Sequence, residues 1–340
     1  MGGANAALAV GPWAGLANPA AYAASPLLQA GYEWSELDVY NPGARVESAS
    51  ATLSFGGYGG IGVSRSRFLQ SDVVFPGPYG APDRVLRLRD RSDVAGAAVD
   101  IARLAGADRY GLELAFGANY KRLERQERPR SDVSNVLVVE AAEDYDVGAL
   151  LGWRAVLEAA APGDTTGQPL SYLFLRAAVA VRNLANDDLA VTGTDLIDET
   201  GRTFLTAAAL ELAVGRFAPD RYALIVRATG EYRTYSGRLR DPAAPATTTE
   251  FATDGYRVGG EVVFGGLMST RVGYIEDDLR CLNDLTFGGG LELFVPLLRI
   301  NVRADYARVP TRSFFRLADA GRFAASERHD RFAAAAWIGF

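Results

Sequence analysis

The chain has 340 residues, 49% of them hydrophobic and 22% charged, with a net charge of −6 and a mean hydropathy of +0.00. One histidine (His329) and one cysteine (Cys281) exclude most zinc sites, any intramolecular disulfide, and any Ser/His pairing that does not use His329. Only one of the 35 basic residues is a lysine, Lys121, and no basic run accompanies aromatics, so the footprint of a nucleic-acid binder is missing.

The first element, residues 1–26, consists of small residues and turn formers, without charge and without period-2 alternation. It lacks a basic n-region, and Gly11, Pro12, Asn18 and Pro19 interrupt its apolar stretch, so it does not read as a signal peptide. An exported protein of this sequence would be the mature form. The segment is too apolar for a disordered tail. It is expected to pack inside whatever residues 27–340 build. Within it, Asn18 and the peptide groups around Gly11 and Pro12 should bond to the surrounding wall, with Trp13 and Leu16 filling an apolar patch.

No window of 18 uninterrupted apolar residues exists, so no transmembrane helix is present. The remaining way to cross a bilayer is a closed β-barrel, and the chain carries its alternating signal. Tyr110, Leu112, Leu114, Phe116, Ala118 and Tyr120 alternate with a polar or small parity that includes Arg109, Glu113, Asn119 and Lys121. Tyr256, Val258, Val262 and Phe264 alternate with Arg257, Gly259 and Glu261; Leu298, Ile300, Val302, Ala304 and Tyr306 with Arg299, Asn301, Arg303 and Asp305.

Fourteen such segments are predicted, at about 27–37, 47–57, 60–69, 92–104, 109–122, 143–157, 170–184, 203–215, 221–235, 254–265, 267–276, 284–295, 298–308 and 330–340. Their connections alternate between long polar loops and very short turns, the asymmetry of an outer-membrane barrel. A soluble sandwich has no reason to keep that alternation, and no second sheet remains to cover the apolar face. The predicted fold is therefore all-β: a 14-stranded antiparallel transmembrane barrel over 27–340, with 1–26 as an N-terminal plug.

Several aromatics, among them Tyr32, Trp34, Tyr120, Trp153 and Tyr306, fall near predicted strand ends, as a girdle at the bilayer interfaces requires, with outer-membrane lipids as neighbours. The last segment places Phe332, Ala334, Ala336, Ile338 and Phe340 on one parity. This pattern resembles the C-terminal signal read by bacterial barrel-assembly machinery.

Short motifs add a family resemblance. Gly2-Gly3-Ala4 followed by Asn18-Pro19-Ala20 resembles the opening of FadL-type transporters and their PorV-like relatives. Gly117-Ala118-Asn119-Tyr120-Lys121 resembles the G-x-x-x-K strand of the PorV-like branch, and Tyr145-Asp146-Val147-Gly148 its D-x-G element. Val181-Arg182-Asn183-Leu184, Arg271-Val272-Gly273-Tyr274 and Ala304-Asp305-Tyr306-Ala307 are similar to its R-N-L, R-x-G-Y and D-Y-A elements, in order. Both families are 14-stranded barrels, so the resemblance implies the same fold.

Chemistry for an enzyme is missing, and no cofactor motif is present. His329 is expected in a solvated loop before the last strand, and Cys281 beside Asp277, Asp278 and Asp284, acids that would raise its pKa rather than activate it. Gly288-Gly289-Gly290 and the glycines around Tyr58 precede no helix and so are not phosphate loops. The inward parity carries Arg109, Glu113, Lys121, Glu211, Arg227, Glu231, Arg233, Arg257, Glu261, Arg271, Glu292, Arg299, Arg303 and Asp305. Their mixed signs point to cross-strand ion pairs, not to an ion-selecting ring. Two functions compete. A PorV-like barrel would bind or shuttle secreted proteins or secretion components at the cell surface. A FadL-like channel would carry hydrophobic small molecules, and the charged lumen counts against the apolar path it needs.

Overall fold

Large apolar side chains point out of this molecule while small and polar ones point in, and that inversion organises the whole fold. In the computed structural model, described for residues 6–8, 11–24, 27–36, 45–69, 73–76, 82–130, 138–160, 168–185, 202–218, 221–240, 248–277, 282–295, 300–311 and 327–338, one antiparallel sheet contains 15 strands. They are β1 (Leu28–Glu36), β2 (Arg45–Ser54), β3 (Gly59–Leu69), β4 (Val73–Pro76), β5 (Pro82–Asp100), β6 (Leu112–Arg130), β7 (Val138–Glu158) and β8 (Ser171–Arg182). They continue with β9 (Arg202–Ala218), β10 (Arg221–Arg240), β11 (Thr248–Phe264), β12 (Met268–Asp277), β13 (Leu282–Val295), β14 (Ile300–Thr311) and β15 (Glu327–Ile338). Fourteen of them form a closed ring. The first strand pairs with the last, Leu28 opposite Ile338, and β3 pairs directly with β5. The extra strand, β4, pairs only with the loop-side end of β5. Closure leaves no unpaired edge facing hydrocarbon, the condition for a sheet to cross a bilayer.

Strand β3 shows why the chain folds this way. Ile61 and Val63 are 46% and 58% exposed, while Gly62 and Ser64 between and beyond them are buried. The same parity holds for Phe116 and Tyr120 outside β6 against Ala115, Asn119 and Lys121 inside. Outside, aromatic rings meet in tilted pairs across neighbouring strands: Trp34 with Phe332 at 5.6 Å, Phe332 with Tyr306 at 5.3 Å, and Tyr120 with Tyr145 at 5.7 Å. Because β6 and β7 continue beyond the predicted ends, Tyr120 and Tyr145 fall within their strands rather than near their ends.

Three sequence expectations change. Residues 101–110 are not strand: Asp100 accepts the Arg103 amide at 3.1 Å and caps a short helix (Ile101–Leu104), followed by a 3-10 turn (Ala107–Tyr110). Arg109 therefore lies outside the inner wall, exposed and stacked over the Tyr110 ring at 4.7 Å. His329 sits within β15, opposite Val309, rather than in a loop before it, because the β14–β15 hairpin pairs as far as Thr311 and Glu327. Finally, β5, β6, β7 and β10 run 19, 19, 21 and 20 residues, far past the predicted loop-side ends, against 9 to 12 in β1, β2, β12, β14 and β15. The wall is taller on that side. Gly2, Gly3, Asp278, Cys281, Arg299 and Phe340 lie outside the described residues.

Candidate functional site in the barrel interior

The N-terminal segment meets the inward parity of the wall. Asn18 opens a 3-10 turn (Pro19–Tyr22): its side-chain oxygen Oδ1 accepts from Ala20 N at 3.1 Å, and Pro19, which needs no amide partner, follows. The other half of the same amide donates to the Ala149 carbonyl on β7 at 3.0 Å. Wall glycines leave the space. A Cβ on Gly117 would lie 2.6 Å from Ala20 N, and one on Gly148 3.0 Å from the Pro19 ring. The Tyr22 ring, 2% exposed, fills a slot against Gly62 and Gly96, and burial together with Asp146 pushes its phenol pKa well above the usual range.

Beneath this turn is a buried polar cluster. Lys121 on β6 is paired with Asp146 on β7 at 2.9 Å, both side chains 2% exposed, and donates to the Asn183 side chain. The Asn183 amide donates to Asp146 at 3.0 Å, and Asn119 donates both to Asp146 at 3.2 Å and to the Gly15 carbonyl of the segment at 3.0 Å. Asn183, at φ +55°, takes the left-handed conformation that asparagine tolerates better than other side chains. Motifs scattered over more than sixty positions thus meet at one place: Gly117, Lys121, Asp146, Gly148 and Asn183 build the seat of Asn18 and Pro19.

Further contacts extend the seat. Ser50 on β2 donates to the Pro12 carbonyl at 2.6 Å, and Glu231 on β10 accepts from Ala6 N at 3.3 Å. Arg176 on β8 is held by Glu113 at 2.8 and 3.3 Å and donates to the Leu8 carbonyl at 2.6 Å. Between these bonds lies an apolar cluster. Ala6, Ala7, Leu8, Ala14, Ala20, Ala21 and Ala23 pack on Ala115, Leu150, Ala178, Ala180, Leu205, Ala207 and Ala209 of β6 to β9. Alanines and Leu8, not Trp13 and Leu16, make this patch. Trp13 lies half-buried against Gly31, and Leu16 is half-buried outside the cluster. A second cluster of Tyr172, Phe174, Ala213 and Tyr222 continues the apolar lining toward the short-turn end.

The wall from β9 to β14 is different. Glu261 accepts from three arginines: Arg271 at 2.7 Å, Arg227 at 2.8 Å and Arg303 at 3.0 Å. Arg227 also pairs with Glu211 at 2.5 Å, and Asp305 receives Arg271 at 2.7 Å and Arg303 at 2.9 Å. Three guanidinium groups meet three carboxylates, and the net charge of the group is zero. Nearby, Arg233 pairs with Glu231, Arg257 donates to the Tyr235 hydroxyl at 3.4 Å, and Glu292 stands opposite Arg303 in register. A network neutralised from within presents no single-sign ring to a passing ion.

Among the lumen-facing candidates, Glu113 and Lys121 belong to the seat, whereas Arg257, Glu261, Arg271, Glu292, Arg303 and Asp305 belong to the charged wall. Phe332 is on the exterior, and Ile338 is half-buried at the end of β15. Sequence reasoning did not single out Arg176, although the parity of β8 places it inward among Phe174, Ala178 and Ala180. It treated Asn119, Asp146 and Asn183 as motif letters rather than as one cluster. Among the described residues, no group of three or more His, Cys, Asp or Glu is placed to hold a metal ion.

No family model matches the chain, and no curated protein sequence matches it. Among solved structures, the chain is similar to a FadL homologue of Pseudomonas aeruginosa, with 12% identity over 98% of this chain and 95% of that one and a TM-score of 0.47. It is also similar to the toluene transporter TbuX of Ralstonia pickettii, at 12% identity over 99% and 95% with a TM-score of 0.46. A third is the toluene transporter TodX of Pseudomonas putida, at 11% identity over 99% and 95% with a TM-score of 0.45.

Proposed function

We propose that the chain is an outer-membrane conduit for small hydrophobic molecules, with residues 1–26 as the plug of a barrel formed by 27–340. One observation carries this reading: the inner wall of β6 to β9 is apolar where the N-terminal segment lies on it. Charge is concentrated on one side of the lumen. On the other the charged groups, Glu113 with Arg176 and Lys121 with Asp146, are paired beside an apolar patch, which weakens the objection that a fully charged interior would raise to apolar cargo. A second cluster, Phe174, Tyr172 and Tyr222, lies beyond the alanine cluster on β8 and β10, with Arg154 and Arg176 over its rings. A molecule that displaced the segment would thus meet two apolar patches with guanidinium groups between them. The segment is held by burial of small apolar side chains and Tyr22 together with separate hydrogen bonds to its backbone, without any strand pairing to the wall. Each bond is worth on the order of 1 kcal/mol net, and somewhat more at Arg176 and Glu231. Such a closure can yield without unfolding the wall.

The PorV-like reading, with secreted proteins or secretion components as partners, draws on motif order alone. Three of those motifs converge on the seat of the segment, and the other two contribute Arg271 and Asp305 to the charged wall. They speak for how the lumen is closed rather than for what the loops hold. The test uses porin-deficient Gram-negative cells, whose outer leaflet slows hydrophobic solutes. Expression of the chain should speed uptake of a labelled monoaromatic hydrocarbon or fatty acid, and removal of residues 2–20 should also admit a bulky antibiotic. Uptake no faster than in cells without the chain overturns the conduit; a deletion that folds and stays impermeable overturns the plug.

A further inference from the structure

At the short-turn end of the lumen one arginine is held by aromatic rings instead of by a carboxylate. Arg154 follows Asp146, Gly148, Leu150 and Gly152 on the inward parity of β7 and stands opposite Phe174 of β8. Its guanidinium lies over the Phe174 ring at 4.9 Å and over the Tyr172 ring at 5.0 Å. Arg154 is exposed, and among the described residues its guanidinium N–H groups meet no acceptor. Its neighbours on the inner wall differ. Arg176 is held by Glu113, and Arg227, Arg271 and Arg303 are held by Glu261.

Backbone and rings fix this group in advance. The Arg154 amide donates to the Gly111 carbonyl at 2.8 Å, and Gly111 takes a left-handed φ of +77° that glycine adopts freely. A Cβ on Gly111 would lie 2.2 Å from the Arg154 carbonyl oxygen. The rings are tied as well. Tyr172 donates to Glu211, Tyr222 donates to the Pro169 carbonyl at 3.0 Å, and the two rings meet edge to face at 5.1 Å. Ile225, half-buried, packs beside them. A planar cation stacked on anchored rings keeps its N–H edge available, and that edge is a fork matched to the two oxygens of a carboxylate. The apolar ground next to it is short. Arg176, paired with Glu113, also lies over Phe174 at 4.3 Å, and Glu211, paired with Arg227, accepts from Tyr172. Ion pairs thus bound the cluster at two of its edges.

We infer that Arg154 is the recognition residue of a binding site for compact aromatic carboxylates at the short-turn mouth of the lumen. The carboxylate takes the N–H edge of the guanidinium, and the ring takes the apolar ground at Ile225 and the rims of Tyr172 and Tyr222. A single ring fits between the two ion pairs, whereas a long acyl chain has to cross one of them. An uncharged hydrocarbon leaves the guanidinium unused, and a bare anion leaves the rings unused. The site rests on the conduit reading and narrows its cargo, at this station, to aromatic acids.

The test uses the full chain folded in detergent, with para-trifluoromethylbenzoate as the probe and its affinity read by fluorine NMR. Arg154→Gln should weaken binding about tenfold, the loss of one charge-assisted pair. Arg154→Lys keeps the charge without the plane and should recover only part of that loss; it also serves as the second variant should Arg154→Gln fold poorly. Arg109→Gln, which removes a ring-stacked arginine outside the inner wall, should change nothing. Trifluoromethylbenzene lacks the carboxylate and acetate lacks the ring, so each should bind far more weakly and with no dependence on Arg154. Equal affinity of the parent and Arg154→Gln overturns the site. Acetate that competes on equal terms overturns the aromatic assignment, and dodecanoate held as tightly through Arg154 overturns the preference for a compact body. A chain that speeds toluene uptake in porin-deficient cells yet does not bind the probe loses this site and keeps the conduit. One that binds the probe through Arg154 yet speeds no uptake keeps the site and loses the conduit.

Discussion

The two sides of the lumen fill the same space by different physics. On β2 to β8 the wall is lined with small residues, and its polar groups reach for backbone groups of another segment: Ser50 for Pro12, Asn119 for Gly15, Arg176 for Leu8. From Glu211 on β9 round to β14 it is lined mainly with long charged side chains that reach for one another, three arginines converging on Glu261, although Glu231 on β10 also accepts from Ala6 of the segment. A wall that seats polypeptide has to leave space and unpaired donors. A wall that faces open lumen has to neutralise itself. Inward polarity alone therefore says little about what an inward residue does, because the same parity serves both ends.

The comparison is broken most severely at Lys121. Replacing it with alanine leaves Asp146 buried without its cation, which should cost about 3–5 kcal/mol, seen as early loss of the SDS-resistant band on heating. The double change Lys121→Met with Asp146→Leu removes both charges and should recover much of that loss. If the single variant is as stable as the parent, the seat is not a structural cornerstone.

Gly148→Leu sharpens the difference between the halves. The new side chain occupies the place of Asn18 and Pro19, an overpacking of about 1–3 kcal/mol that the segment can relieve by leaving. The barrel should persist while bilayer conductance rises. As a control away from the lumen, the same substitution at Gly260, on the outward parity of β11, where its Cβ would meet only a carbonyl at 3.5 Å, should leave conductance unchanged. Conductance equal in both variants would mean that the segment does not close the lumen.

The smallest effect is expected at Arg303→Ala. Glu261 keeps Arg227 and Arg271, and Asp305 keeps Arg271, so no carboxylate is stranded. A cost below about 1.5 kcal/mol follows from losing bonds whose acceptors stay satisfied. Thermal unfolding as early as in Lys121→Ala would show that the network is not redundant.

Much of the fold was legible because alternation is a local signal repeated along the chain. Every one of the fourteen predicted segments overlaps a strand of the ring. The errors fall where a local device outweighs alternation, as at Asp100, whose side chain caps a helix that ends β5. The loop-side ends were set too short for a related reason. Past the apolar band, Arg87 through Asp93 and Arg122 through Arg130 lose the greasy parity, yet the ladder between β5 and β6 continues as far as Val85 and Arg130. Backbone pairing does not require an apolar face once lipid is left behind.

The site was legible only as letters. Gly117, Lys121, Asp146, Gly148 and Asn183 were visible as fragments of motifs, and Arg303 and Glu261 as members of a charged parity. The sequence by itself determined that the chain closes into a barrel, which side chains face outward, and that residues 1–26 differ in kind from the rest, because these depend on composition and on period 2 within single segments. Only the tertiary structure decided who meets whom. Lys121 reaches Asn183 across 62 positions and Arg303 reaches Glu261 across 42, through the register of intervening strands and the closing of β1 on β15. Whether an inward charge finds a backbone carbonyl, an opposite charge or open lumen is fixed by that curvature, which no single strand encodes.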